Sequence, residues 1–266
     1  MSTTPYAARD AATMLRRNLR HAARYPSVTL VVVGIPVILL LLFVYVFGGT
    51  MGAGLEVVAG DRGSYVDYVV PGILLLAVAG VSQATAIAVS MDMTEGIIAR
   101  FRTMGIARWS VLAGHVLGST IQTMAGLVAV IAVALAVGFR PDAGPLEWLA
   151  AGGVLLMITL AITWLSVALG LVGKSVESAS NLPMPLILLP FLGSGFVPTD
   201  PMPAGLRWFA EYQPFTPVIE TLRGLLLGTA IGTDALLAAA WCAVIGLVGY
   251  RWSMVLYERG PSRRQR

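Results

Sequence analysis

Apolar residues dominate six stretches of this chain, and polar residues gather between them. The stretches cover residues 28–47, 69–89, 111–139, 148–172, 182–197 and 235–256. Most of them reach the roughly 20 residues that a helix needs to cross about 30 Å of hydrocarbon. The fifth is the least regular, because Pro183, Pro185 and Pro190 interrupt it. The pattern predicts an all-α polytopic membrane protein with six transmembrane helices.

Residues 7–25 precede the first span and alternate between apolar and basic at helical spacing. Small and apolar side chains fall on one side of a helical projection, and five arginines fall on the other. Pro26 ends the pattern. An N-terminal interfacial amphipathic helix fits this pattern, with its arginines among lipid phosphates. The alternative is a solvated tail whose charges only set topology.

Residues 199–228 are too apolar for a solvated loop and too interrupted for a span, since Pro214, Pro217 and Gly224 break them. We therefore predict a re-entrant helical hairpin in the outer leaflet, before the last span, made of two short helices. Glu220 and Arg223 are spaced so that they can pair on one face of a helix, which lowers the cost of burying either charge.

The basic residues are distributed unevenly among the loops. Five of the eighteen Lys and Arg residues lie in the N-terminal segment, three in 90–110, one in 173–181 and five from position 251 onward. The other four lie in the alternate loops. The positive-inside rule then predicts that both termini and the 94–108 loop are cytoplasmic.

Composition supports a membrane protein with a single domain over residues 1–266. Hydrophobic residues make up 57% of the chain and charged residues 12%, whereas a soluble domain carries roughly 25% charged residues. The sequence pI of about 9.5 is explained by arginines that face anionic lipid headgroups of the bilayer, so nucleic acid is not an expected partner.

Catalytic chemistry is not indicated by any motif. His21 and His115 are too separated to suggest a metal site. The run Gly173-Lys174-Ser175 resembles part of a phosphate-binding loop. A phosphate-binding loop needs a strand before it, whereas this run follows a predicted apolar helix. We expect no catalytic residues, no metal and no cofactor bound by this chain. The spans hold almost no carboxylates, whereas a proton-coupled transporter usually buries at least one Asp or Glu in a span. If the chain is a transporter, we therefore expect its energy to come from a source other than proton coupling.

Polar side chains interrupt the second and third spans, where contact with lipid is unfavourable. Two interpretations stay open for them: hydrogen bonds between helices, or a role in lining a substrate pathway or a dimer interface. The residues concerned are Gln83, Thr85, Gln122 and Thr123.

The 94–108 loop carries a short amphipathic pattern of its own. Ile97, Ile98, Phe101 and Met104 recur at helical spacing beside arginines, and Asp92 or Thr94 can cap the helix. A helix with an apolar ridge flanked by charge suits insertion into a groove on a partner protein.

Two motifs together resemble a known family. They are Glu95-Gly96-x-x-x-Arg100-Phe101-Arg102-x-Met104-x-x-x-Arg108, and Pro198-x-x-x-Met202-Pro203-x-x-Leu206-Arg207-Trp208 followed by Gln213-Pro214-Phe215-Thr216-Pro217 and Arg223. They resemble the type-2 ABC transporter permeases, most closely the daunorubicin/doxorubicin resistance permeases of actinobacteria. Gly105 departs from the pattern, because relatives usually carry Pro there.

The resemblance implies a permease subunit of an ATP-driven exporter of lipophilic drugs, natural products or lipids, in a bacterial plasma membrane. Two permease chains, identical or paralogous, would pair, and each would dock a separate cytoplasmic ATPase that holds ATP and magnesium. The implied ATPase-coupling residues are Glu95, Ile98, Arg100, Phe101, Arg102, Met104 and Arg108. The alternatives are a secondary transporter or channel working without an ATPase, and, less well supported, a membrane enzyme acting on lipids.

Overall fold

The computed structural model describes residues 26–47, 62–94 and 108–259, together with the isolated positions 13, 15 and 16. Side chains are described from 33 to 47, from 65 to 94 and from 110 to 258. Within these ranges all regular structure is helical, in agreement with the predicted all-α class. The predicted interfacial helix over 7–25, apart from those three positions, and residues 95–107 of the predicted coupling helix lie outside the described residues.

Five long helices form the body of the described part of the protein. Helix α1 spans Pro26–Leu42 and continues as a π-helical turn over Phe43–Phe47. Helices α2 (Arg62–Thr94), α3 (Arg108–Val137) and α4 (Pro145–Val172) follow, and the last helix, α9, spans Asp234–Arg259. Of these, α2, α3, α4 and α9 are long and apolar enough to cross a membrane, while Val33–Phe47 and Val176–Leu192 are shorter apolar segments.

Short helices fill the chain between α4 and α9. They are α5 (Val176–Asn181), α6 (Met184–Leu188), a 3-10 turn over Leu189–Leu192, α7 (Ala204–Tyr212) and α8 (Phe215–Leu227). The fifth stretch is broken at two of its three predicted prolines: Pro183 precedes α6 and Pro190 lies in the 3-10 turn, whereas Pro185 lies inside α6. A proline has no N–H to continue the helical ladder. Helix α8 ends at Gly228, whose φ of 72° is the left-handed conformation that favours glycine.

Helix α2 is the central helix of the bundle. It packs against α1, α3, α4 and α8, while α9 packs mainly on α4. In the most apolar part of each helix, 72% of the residues of α2 are buried but only 17% of those of α9. Helix α9 therefore lies at the periphery of the bundle. The large side chains with almost no exposure come from several helices and include Tyr65, Ile73, Ile158, Phe215 and Ile219.

The helices alternate in direction and so define two ends of the molecule. At one end α2 and α4 finish, α3 begins, and Val89, Leu112, Val167 and Tyr257 form a local apolar cluster. We call this the Asp92 end. At the opposite end α2 and α4 begin and α8 lies, and there Asp67 accepts a hydrogen bond of 3.0 Å from the main chain of Arg140. We call this the Arg223 end.

Candidate functional site

A buried arginine joins three elements at the Arg223 end. Arg223 Nη1 donates to Glu220 Oε1 at 2.6 Å, and Nη2 donates to the main-chain carbonyls of Tyr68 and Ser194, each at 3.1 Å. The Tyr68 hydroxyl also donates to the Ser194 carbonyl, at 2.9 Å. The side chain of Arg223 is 10% exposed and that of Glu220 is 31% exposed. The predicted i,i+3 pair is therefore present, and it also ties α8 to α2 and to the 193–196 segment.

Close backbone contact explains why Ser194 reaches α2. A Cβ atom on Gly72 would overlap the carbonyl oxygen of Gly195. The backbones of these two segments can therefore touch only because neither residue has a side chain. The start of α8 is fixed in turn by Gln213, whose amide donates to Thr216 Oγ1 at 2.9 Å and whose oxygen accepts from the Phe215 N–H at 3.0 Å. The 193–196 segment and α8 are thus held together and against α2.

Helix α7 differs from α8 because it stands on the surface. Arg207 donates to Glu211 at 2.6 Å and to Asp200 at 3.0 Å, and the hydrogen bond to Glu211 raises the pKa of Arg207 above its ordinary value. Trp208 and Tyr212 are exposed. Trp and Tyr with a charged neighbour are typical of a helix at a membrane–water interface.

The predicted polar residues of the second and third spans do not form one surface. Thr85 Oγ1 donates to Ser119 Oγ at 2.9 Å between α2 and α3, and Thr123 donates to the Ser119 carbonyl at 2.7 Å within α3; both threonines are buried. Gln83 instead donates to the carbonyl of Ser180 beside α5 at 2.9 Å. Gln122 is half-buried on α3. The geometry of Thr85 and Thr123 favours hydrogen bonding within and between helices.

A buried aspartate–histidine pair lies at the Asp92 end, just beyond the apolar stretch predicted as the second span. Asp92 Oδ2 is 3.0 Å from His115 Nε2, with side-chain exposures of 11% and 7%. Both residues lie in helices that are candidate spans. Helix α2 runs beyond its apolar stretch of 69–89, and its last turn carries Asp92 inward. Among the described residues, no group of three His, Cys, Asp or Glu side chains is arranged to hold a metal ion.

The remaining site predictions fall on other parts of the chain. Six of the predicted coupling residues, Glu95, Ile98, Arg100, Phe101, Arg102 and Met104, lie outside the described residues, and only the backbone of Arg108 is described, as the first residue of α3. Near the rejected phosphate-loop motif, α4 precedes Gly173, and Ser175 Oγ caps α5 by accepting from the Ser178 N–H at 3.1 Å. No strand precedes the motif within the described residues, as a phosphate-binding loop would require.

Comparison with known proteins identifies the family. A family model described as ABC-2 type transporter matches residues 9–227. The chain belongs to the ABC-2 type transporter family. The match covers the predicted coupling loop and every helix from α1 to α8, so α9 follows the matched part. The resemblance stated from the sequence motifs is thereby confirmed.

Two relatives of this ABC-2 chain carry names that describe drug resistance. It is 29% identical over 238 residues to the daunorubicin resistance ABC transporter permease protein DrrB1 of Streptomyces coeruleorubidus, covering 89% of this chain and 81% of that relative. It is 28% identical over 251 residues to the probable doxorubicin resistance ABC transporter permease protein DrrC of Mycobacterium tuberculosis, covering 91% and 88%. The ABC-2 chain is therefore a multi-pass membrane permease related to drug-resistance permeases over most of its length.

Proposed function

We propose that this chain is the membrane-spanning subunit of an ATP-driven exporter that moves a lipophilic compound out of a bacterial cell. The energy comes from a separate cytoplasmic ATPase, and the permease itself hydrolyses nothing. The observation that carries this proposal is the alignment with two permeases named for drug resistance over more than four fifths of each chain. The aromatic ring systems of the anthracyclines in those names make lipophilic drugs the first substrates to test.

The proposed arrangement in the membrane has six spans and cytoplasmic termini in the plasma membrane. The alternating directions of the helices support it, because Lys174 then lies at the Asp92 end and Arg140 at the opposite end. The Asp92 end is the proposed cytoplasmic side. The short apolar segments Val33–Phe47 and Val176–Leu192 supply the first and fifth spans, and a second permease chain completes the transporter.

The proposed ATPase dock is the 94–108 segment at the cytoplasmic side. Its residues connect the end of α2 to the start of α3, so a force on the segment acts directly on the central helix of the bundle. The coupling residues are those implied by the family motif, with Phe101 as the apolar contact and Arg100 and Arg102 as the charged ones.

The outer segment 199–228 is proposed to re-enter the outer leaflet. Its helices have nine and thirteen residues, or about 14 and 20 Å at 1.5 Å per residue, and neither reaches across about 30 Å of hydrocarbon. The burial of Val218, Ile219 and Leu222 supports a position for α8 among the spans. The exposed aromatic side chains of α7 support a position at the headgroups.

Reconstitution tests the proposed function. The chain is purified with a candidate ATPase, placed in proteoliposomes and supplied with ATP and magnesium on the ATPase side, and the movement of daunorubicin is followed by fluorescence. We expect transport that requires ATP and ceases with an ATPase variant unable to hydrolyse it. An equal rate with the inactive ATPase would contradict the proposal.

A secondary transporter is the second candidate, and the buried Asp92–His115 pair is the observation that favours it, because paired ionisable residues inside spans often form proton relays. The same proteoliposomes distinguish the two. A secondary transporter moves the drug under an imposed pH gradient without ATP, whereas the ABC exporter works with ATP when a protonophore has removed the gradient.

A further inference from the structure

We propose that Asp92 and His115 form a positioning clamp that fixes the spacing between the two ends of the 94–108 segment, so that movement of the ATPase is passed to α2 and α3 together. This inference rests on the proposed docking of the ATPase at that segment. It adds a role for two residues that lie outside the family motif and that belong to the spans.

The position of the pair carries the first step. Asp92 lies in the last turn of α2 and His115 in the second turn of α3, which begins at Arg108. Their side chains meet at 3.0 Å although the residues are 23 positions apart in the chain. The contact therefore closes the base of the connection between the two helices, a short distance from where the proposed dock begins.

The surroundings make the contact strong. Val89, Val111, Leu112 and Val116 form an apolar cluster with Val167 and Tyr257 at the same end of the molecule. The pair is a hydrogen bond when the imidazole is neutral and an ion pair when it is protonated, and either is strengthened by low dielectric. Loss of Asp92 would leave Nε2 of the His115 ring buried without this contact, which is costlier than loss of the contact alone.

The neighbouring helices hold the clamp in a rigid frame. A Cβ atom on Gly170 of α4 would lie 2.6 Å from the carbonyl oxygen of Ala86 on α2, so these two helices already touch backbone to backbone. A packed region of this kind moves as a unit and does not absorb displacement locally. With the clamp closed, a displacement of the 94–108 segment turns both helices. With the clamp open, each end of the segment can move separately and the displacement is lost.

The chain supplies a matched control contact. Thr85 and Ser119 form a neutral hydrogen bond of 2.9 Å between the same two helices. Thr85 is seven residues before Asp92, about 10 Å deeper at 1.5 Å per residue. A general weakening of the contact between α2 and α3 would appear in both pairs. A clamp at the base of the docking segment would be affected only by changes in the Asp92–His115 pair.

The test uses the permease–ATPase complex in proteoliposomes and two readouts, the ATPase recovered per permease and the daunorubicin moved per ATP hydrolysed. For Asp92→Ala and for His115→Ala we expect ATPase recovery within twofold of wild type and at least a tenfold loss of drug moved per ATP. His115→Gln can still donate to Asp92 and should keep at least half of the wild-type ratio. The exchange variant Asp92→His with His115→Asp should recover at least threefold over either alanine variant.

The control double variant Thr85→Val with Ser119→Ala should stay within twofold of wild type in both readouts. An equal loss in this control would overturn the clamp, as would normal coupling in the alanine variants. If an alanine variant does not accumulate in the membrane, the test relies on His115→Gln and on the exchange variant. Loss of drug movement per ATP in both of these variants would overturn the clamp. If the wild-type chain neither binds the ATPase nor transports with ATP, the proposed function fails and the clamp with it. If wild type transports and the alanine variants match it, the clamp alone fails.

Discussion

The guanidinium of Arg223 lies 4.0 Å from the centroid of the Tyr68 ring, although the two residues are 155 positions apart. An arginine over a tyrosine face is attracted by the ring electrons, and the attraction increases when water is excluded. Together with the bonds to Glu220 and Ser194, this contact makes Arg223 a polar attachment of the outer segment to the central helix.

Arg223→Ala is therefore expected to weaken the fold and transport together. The change leaves Glu220 without its partner and removes one donor from each of the Tyr68 and Ser194 carbonyls. Breaking a fully buried pair costs about 3–5 kcal/mol, which is an upper range here because Glu220 is 31% exposed. Arg223→Lys should recover only part of the loss, because an ammonium cannot reproduce the fork of the guanidinium. Thermal unfolding in detergent and ATP-driven transport measure the two effects.

Arg207→Ala is the control for that substitution. Arg207 is also paired with an acidic residue on the same segment, but its side chain is 45% exposed, and exposed pairs contribute little. We expect nearly wild-type stability. Equal losses from Arg207→Ala and Arg223→Ala would show that burial of Arg223 has no special importance.

Gly72→Ala tests the close contact between α2 and the 193–196 segment. The added methyl group meets the carbonyl oxygen of Gly195, so the two elements must separate, and overpacking of this kind typically costs about 1–3 kcal/mol. Gly80→Ala on the same helix meets nothing within 4 Å and should stabilise the helix by up to about 1 kcal/mol. Melting temperatures that fall for Gly80→Ala and stay unchanged for Gly72→Ala would contradict this packing.

The sequence predicted the positions of the long helices, but only some of the contacts between them. Long apolar runs have one stable form in lipid, because every backbone group must be bonded within the helix, and α2, α3, α4 and α9 follow from that rule. Their ends did not follow, since helix α2 includes Asp67 and Asp92 beyond the apolar stretch. The helical hydrogen bonds of α2 continue past the last apolar residues, so hydropathy alone does not locate the helix ends.

The Asp92–His115 pair carried a signal that hydropathy alone did not show. Two antiparallel helices joined by one loop bring together residues at equal distances from the loop centre. Asp92 with His115, and Thr85 with Ser119, are centred on nearly the same point of the loop, and both pairs are in contact. Tyr68 and Arg223 have no such relation, because their contact depends on how the 193–196 segment and α8 pack.

Phe101→Asp is expected to detach the ATPase without unfolding the spans. The aspartate places a charge on the apolar ridge predicted for the 94–108 segment, where a groove of the partner would have to desolvate it. Phe101→Leu keeps an apolar side chain and should retain at least half of the binding. Recovery of the ATPase with the tagged permease measures both variants. Full recovery and full transport by Phe101→Asp would contradict the proposed dock.

Cysteine labelling tests the proposed topology. Cys242 is 3% exposed, and its replacement by Ala gives a background without thiols. Lys174 and Asp142 are both exposed, so Lys174→Cys and Asp142→Cys place reachable thiols at opposite ends of the molecule. In intact cells an impermeant reagent should label position 142 and spare position 174. The opposite result would invert the topology.

The same labelling applied across 204–228 tests the outer segment. Trp208 is 67% exposed and Ile219 is 0% exposed, so a cysteine at position 208 should react much faster than one at position 219. Uniform rapid reaction at every position would indicate a solvated loop and would contradict the re-entrant hairpin.

The interruptions of the fifth apolar stretch constrain which substitutions can occur together as this sequence evolves. Two carbonyls, that of Ser180 just before the stretch and that of Leu189 within it, accept hydrogen bonds from the amides of Gln83 and Gln213. These glutamines supply donors to acceptors that a continuous helix would bond within itself. A lineage that lost the prolines and straightened the helix would no longer need either glutamine. The prolines and glutamines should therefore be inherited as a set, retained together or replaced together, even though they belong to separate parts of the chain.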